Sequence, residues 1–118
     1  MNKSAPVEEL VRVDAAGVTL EGDLSLPAGA GAIVFFAHGS GSSRFSSRNR
    51  YVAEFLRQAG LGTLLIDLLT AREEVVDART AHLRFDIDLL AGRLLGTAEW
   101  LSRNSSTRDL RIGMFGAS

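Results

Sequence analysis

Two short segments pair a permissive glycine with a hydroxyl or an imidazole. The first is Gly116-Ala117-Ser118, directly after the apolar run Leu110–Phe115. Gly-x-Ser is the opening of G-x-S-x-G, the pattern that sets a serine on a sharp strand-to-helix turn with its hydroxyl exposed above a sheet. Gly116 and Ala117 are small enough for such an elbow, which makes Ser118 the candidate nucleophile. The tripeptide by itself recurs by chance, and an ordinary loop serine is the alternative; its position behind an apolar strand is what gives it weight. The second segment is Ala37-His38-Gly39-Ser40-Gly41-Ser42-Ser43. Its glycines allow close backbone approach to a ligand. Successive N–H groups at Gly39, Ser40 and Gly41 suit an anion-binding nest, against the alternative of a plain Gly/Ser turn. His38 alone reads as a structural, hydrogen-bonded histidine.

Other polar residues invite weaker readings. Asp67 closes an apolar run and is expected to cap or brace the loop that follows. A ribose-binding role would require the dinucleotide fingerprint after the preceding strand, and that fingerprint fails where Arg44 occupies its packing-glycine position. Arg44, Arg48, Arg50 and Arg57 read as a solvated basic helix face, with Arg44 the one to test against substrate anions. Glu73, Glu74 and Asp77 read as a wet acidic loop. No histidine stands at ligand spacing from them, so neither metal nor cofactor is expected.

The elements that would position these residues follow from periodicity. Val7–Val13 and Val18–Leu26 read as a hairpin around Ala15-Ala16-Gly17. In the second strand, Val18, Leu20, Gly22, Leu24 and Leu26 alternate with polar residues, as a strand with one wet face requires. Ala32–Ala37, Gly62–Leu69 and Leu110–Phe115 are continuously apolar, as in parallel strands buried on both faces. Val52, Phe55, Leu56 and Ala59 form a helical stripe stopped by Gly60. Ile87, Leu90, Ala91, Leu94, Ala98 and Leu101 form a longer one, with Asp86 and Asp88 at its dipole-favoured start and Trp100 packing near its end. Thr70–Arg84 reads as a polar, irregular connection, of a length that often covers a binding site, with a solvated excursion or part of a helix as the alternative. The order β-β-β-α-β-α-β implies a doubly wound, mostly parallel α/β sheet with an antiparallel N-terminal hairpin.

Bulk properties narrow the class. The 118 residues suffice for one compact domain; hydrophobic residues make up 46%, charged residues 23%, and the formal net charge is -1. No basic excess points to nucleic acid or an anionic membrane surface. The absence of cysteine removes disulfides and thiolate chemistry. No signal-peptide core or run of roughly 18 apolar residues is present, and a cytoplasmic location is expected. Because the last apolar strand is followed by only three residues, the chain reads as a partial domain over 1–118. Expressed alone, it is expected to lack a stable monomeric state.

The segments FFAHGSGSSRFSSRNRYVAEFL, DLLTAREEVVDARTAHLRFDIDLLAGRL and IGMFGAS together resemble the dienelactone hydrolase family of α/β-hydrolases, over essentially the whole chain. The resemblance implies an N-terminal part of that fold, ending at the nucleophile elbow. It maps the oxyanion loop onto His38, Gly39, Ser40 and Gly41, with the Ser40 N–H as donor, and the nucleophile onto Ser118. Dienelactone hydrolases proper are similar but carry cysteine there, so serine implies an esterase-like relative acting on a small-molecule ester or lactone. The family's acid and histidine follow the nucleophile in chain order and have no counterpart here. His38 and His82 precede Ser118 and are not triad members. The partner implied is the C-terminal remainder of the same fold.

Overall fold

A computed structural model describes residues 6–39 and 42–116. Strands β1 (Val7–Ala15) and β2 (Val18–Leu26) form the hairpin, followed by β3 (Ala32–Ala37), helix α1 (Ser47–Gln58), β4 (Gly62–Ile66), helix α2 (Ala71–Thr80), a 3-10 turn over Leu83–Phe85, helix α3 (Ile87–Arg103) and β5 (Arg111–Gly116). One sheet runs in the order β1-β2-β4-β3-β5. β3 pairs in parallel with both β4 and β5, while β2 pairs antiparallel with β1 and β4. This is the mixed, mostly parallel sheet expected from the alternation of elements.

The hairpin turn explains why β1 outruns its predicted end by two residues. Ala16 and Gly17 both have positive φ, 51° and 82°. Such a two-residue turn matches the right-handed twist of the flanking strands and keeps Ala15 paired with Val18. α3 lies directly on this hairpin. A Cβ added to Gly96 would stand 2.7 Å from Ala15 Cβ, so only glycine permits the approach.

The two helices cover opposite faces. Ile33, Phe35, Leu64 and Ile66 pack with Leu20, Leu24 and Leu101 on the α3 side. Phe36 and Leu65 pack with Ala53 on the α1 side. Adjacent Phe35 and Phe36 are therefore both buried, as the unbroken apolar run of β3 demanded.

Four local expectations need correction. β4 ends at Ile66 rather than Leu69, although Leu68 and Leu69 remain buried beyond it. α1 is rotated relative to its predicted stripe. Asn49 and Ala53 are buried and Val52 and Leu56 partly so, whereas Phe55 is exposed; the small Ala53 seats the helix close to the sheet. In α3, Ile87 is exposed while Arg93, Gly96 and Thr97 are buried. Thr70–Arg84 follows the helical alternative and is not an irregular loop. α2 opens with a capping box in which Thr70 accepts from the Glu73 N–H and Glu73 accepts from the Thr70 N–H. Periodicity missed α2 because Val75 and Val76 face outward and its one buried residue is Asp77.

β5 is also less buried than its composition suggests. Ile112 and Met114 are 38% and 57% exposed. The register pairs them with Ile33 and Phe35, so they lie on the α3 side of the sheet, beyond the area that α3 covers. Phe115 turns to the other face and meets the Phe36 ring at 5.3 Å.

Candidate active site

Parallel pairing brings three strand exits to one edge of the sheet. Ala37 stands opposite Gly116, and Phe36 opposite Leu65. The segment beginning at His38 therefore leaves the sheet beside the end of β5, with the segment after β4 on its other flank. Ligands of doubly wound sheets bind at this carboxyl edge. Of the sequence-derived site residues, His38, Gly39 and Gly116 lie within this arrangement. Ser40, Gly41, Ala117 and Ser118 lie outside the described residues.

His38 ties two exits together. Its Nε2 accepts the Leu68 N–H at 3.0 Å, while Nδ1 lies 3.0 Å from the Gly39 carbonyl oxygen. That pair of contacts fits a neutral ring with the proton on Nδ1. The other half of the Leu68 peptide is held as well, because Arg93 donates to the Leu68 carbonyl at 2.9 Å. Arg93, buried in α3, also grips Glu73 with both terminal nitrogens, at 2.5 and 2.6 Å. The paired guanidinium pulls the Glu73 carboxyl down to about 2, against some opposition from burial and with help from the Thr70 N–H. A continuous polar path thus runs from α2 through α3 and the β4 exit to His38. Neither Arg93 nor its pairing with Glu73 was anticipated. The available signal was one arginine inside the otherwise apolar stretch Leu89–Leu95.

The loop after β3 is clamped a second time. Asp67 accepts the Arg44 N–H at 2.6 Å through one oxygen and the Arg44 guanidinium at 2.6 Å through the other. The same guanidinium lies 3.3 Å from Glu21 and 3.4 Å from Asp23. Burial disfavours the charge on Arg44, but Asp67 and Asp23 outweigh it and the pKa is raised. Asp67 therefore braces the loop before it in sequence, not the one after. Arg44, its side chain 12% exposed and surrounded by carboxylates, is not a free anion receptor. The acidic stretch is not a wet loop either. Glu73 is spent on Arg93, and Asp77 is buried, accepting the Leu83 and Arg84 N–H groups and the Arg84 guanidinium. The Arg84 bonds keep Asp77 below its ordinary pKa, although burial acts in the opposite direction.

A cavity of about 220 Å³ opens between these clamps. His38, Gly39 and Ser42 form one wall, Leu68 and Leu69 lie beneath, and α2 faces them. The site thus combines the tethered His38–Gly39 segment, an apolar floor and the adjacent end of β5.

No family model matches the chain. Among solved structures, a dienelactone hydrolase from Anabaena variabilis is 62% identical and superposes with a TM-score of 0.93, covering 96% of this chain and 52% of that protein. The chain carries the dienelactone hydrolase-like α/β-hydrolase fold. More distant structures share the hydrolase fold, including an esterase of Pyrococcus furiosus, 24% identical with a TM-score of 0.69 over 93% of this chain and 41% of that one. A curated Mycobacterium tuberculosis protein, provisionally named a phosphoribosyl transferase, is 51% identical over 111 residues, which is 94% of this chain but 24% of that protein. The chain thus spans about half the length of the matched hydrolase and about a quarter of the curated relative. Among the described residues, no helix of the hydrolase fold is long and apolar enough to cross a membrane.

Proposed function

We propose that the intact protein is a serine-dependent hydrolase of carboxylic esters or lactones. The observation that carries this reading is the parallel register of Ala37 with Gly116, which brings the exit of β3 at His38 beside the end of β5 and so supports an oxyanion loop next to a nucleophile elbow. The 62% identity to a dienelactone hydrolase supports the same chemistry. In this reading the Ser118 hydroxyl attacks the acyl carbon as its proton passes to a histidine base. The carbonyl oxygen becomes an oxyanion held by the Ser40 N–H, with the His38–Gly39–Gly41 backbone shaping the hole, and by the N–H after Ser118. Collapse of the tetrahedral species expels the alcohol, and water then releases the acid. His38 supports the loop and is not the base, because its Nε2 lone pair already accepts from Leu68. The base and its orienting acid belong to the C-terminal remainder of the fold, so residues 1–118 alone are inactive.

Labelling with a fluorophosphonate tests the assignment. Intact-mass analysis of the full-length protein is expected to show one adduct, lost in Ser118→Ala and absent from the 118-residue chain. An adduct that survives the substitution rules out Ser118. A nucleotide-binding reading is disfavoured by the carboxylate it would need, since both oxygens of Asp67 are engaged by Arg44. The transferase name of the curated relative describes a protein of which this chain matches about a quarter, leaving the rest of that protein to carry such an activity.

A further inference from the structure

The charges around the cavity are unevenly spent. Arg84, at its rim, gives Nε to an Asp77 carboxylate oxygen at 2.8 Å and a terminal nitrogen to the Asp77 carbonyl at 3.2 Å. Arg93 is turned onto Glu73, and Arg44 onto Glu21, Asp23 and Asp67. His38 is neutral in the arrangement that accepts the Leu68 N–H. Glu74 also lines the cavity, from the first turn of α2, and its carboxylate has no ion-pair or hydrogen-bond partner among the described residues. Beside it the surface is apolar, formed by Leu68, Leu69 and Leu90. Glu74 is exposed, and a carboxylate beside an apolar floor attracts an alkylammonium group and repels a carboxylate with the modest strength that solvent screening allows.

We propose that Glu74 is a specificity-determining residue, making this cleft select esters whose acyl chain ends in a cation over those ending in a carboxylate. The proposal rests on the hydrolase reading above and adds the substrate class to it. A cation fits because, among the described residues, Arg84, Arg93 and Arg44 are each already bound to carboxylates, and the apolar floor accommodates the methylene chain or the methyl groups of a quaternary ammonium.

Three aryl esters of matched length test it on the full-length protein: those of 4-(trimethylammonio)butanoate, its uncharged isostere 5,5-dimethylhexanoate, and glutarate as the monoester. The wild type is expected to favour the cationic over the anionic ester in kcat/KM by at least about fivefold, in keeping with one partly solvated charge pair. Glu74→Gln should collapse that ratio towards one, and Glu74→Lys should invert it. Because Glu74 is exposed, both variants should fold, and fluorophosphonate labelling of Ser118 reports that the site is intact. Turnover with the same ranking in wild type and Glu74→Gln overturns the substrate claim alone, as does a wild-type preference for the glutarate ester. No turnover of any ester by the wild type overturns the hydrolase reading and the substrate claim together.

Discussion

Two arginines fasten the carboxyl edge of the sheet, and they do so differently. Arg44 holds the β3 exit with a guanidinium shared among Glu21, Asp23 and Asp67, at the flank where β2 and β4 meet α1. Arg93 holds the β4 exit from within α3, with a single carboxylate, Glu73, and one carbonyl, Leu68. The Arg44 site is redundant: losing one acid leaves two. The Arg93 site is not, and a charge left there has, among the described residues, no second carboxylate and little water, its side chain being 5% exposed. A buried pair adds little over a well-packed apolar substitute, yet breaking one half is costly because an uncompensated charge remains. The distribution of partners, more than the number of ion pairs, therefore decides how fragile each exit is.

Glu73→Gln is the sharpest way to break the contrast. It strips Arg93 of its only carboxylate among the described residues and is expected to destabilise the intact protein by ~3–5 kcal/mol, the range for orphaning one member of a buried pair. Chemical denaturation would read this as a lowered midpoint. Replacing the pair together, with Arg93→Met and Glu73→Leu, should recover most of the loss, because no charge is then stranded. A double variant as unstable as Glu73→Gln would mean that the Leu68 carbonyl bond, and not charge pairing, is what Arg93 supplies.

Acid titration separates the two sites by a different route. Glu73 sits at about 2 in the folded protein against an ordinary 4.5. A depressed carboxyl contributes stability that is complete above its unfolded pKa and is lost as pH falls through the folded one. The contribution is therefore full above about pH 4.5 and fades towards pH 2, amounting to roughly 2–3 kcal/mol after allowing for partial solvent access. Stability measured from pH 6 to pH 2 should fall more steeply in the wild type than in Glu73→Gln. Parallel curves would show that Glu73 does not titrate as part of the pair.

Much of this arrangement was legible beforehand, and the parts that were not share a cause. β2 and β3 were found at their true bounds because period-two alternation and a doubly apolar run report directly on one or two covered faces. α2 escaped because its packing is polar: Asp77 and Glu73 hold it through arginines, and an apolar stripe is what periodicity detects. β5 has the composition of a covered strand, but Ile112 and Met114 lie past the reach of α3, and composition does not say which neighbour is present. The loop bearing His38 was read from its glycines and its position behind a strand. Its two clamps were not, since Arg44–Asp67 and His38–Leu68 join residues 23 and 30 positions apart, and only the sheet register brings them together.

The redundancy of the Arg44 site makes its own prediction, and a small one. Asp23 lies 3.4 Å from Arg44 and 3.6 Å from Arg50, with its side chain 32% exposed. Asp23→Asn removes one of three acids facing Arg44 while leaving the 2.6 Å contacts of Asp67 to the backbone and guanidinium in place. Partly exposed pairs contribute about 0–1 kcal/mol, so the denaturation midpoint should hardly move. The β3 exit should keep its geometry, and the rate of Ser118 labelling should match the wild type. The discriminating result is the comparison with Glu73→Gln in the same denaturant series. If Asp23→Asn costs as much, then Arg44 depends on each of its acids individually, and the division between a redundant clamp at β3 and a fragile one at β4 fails.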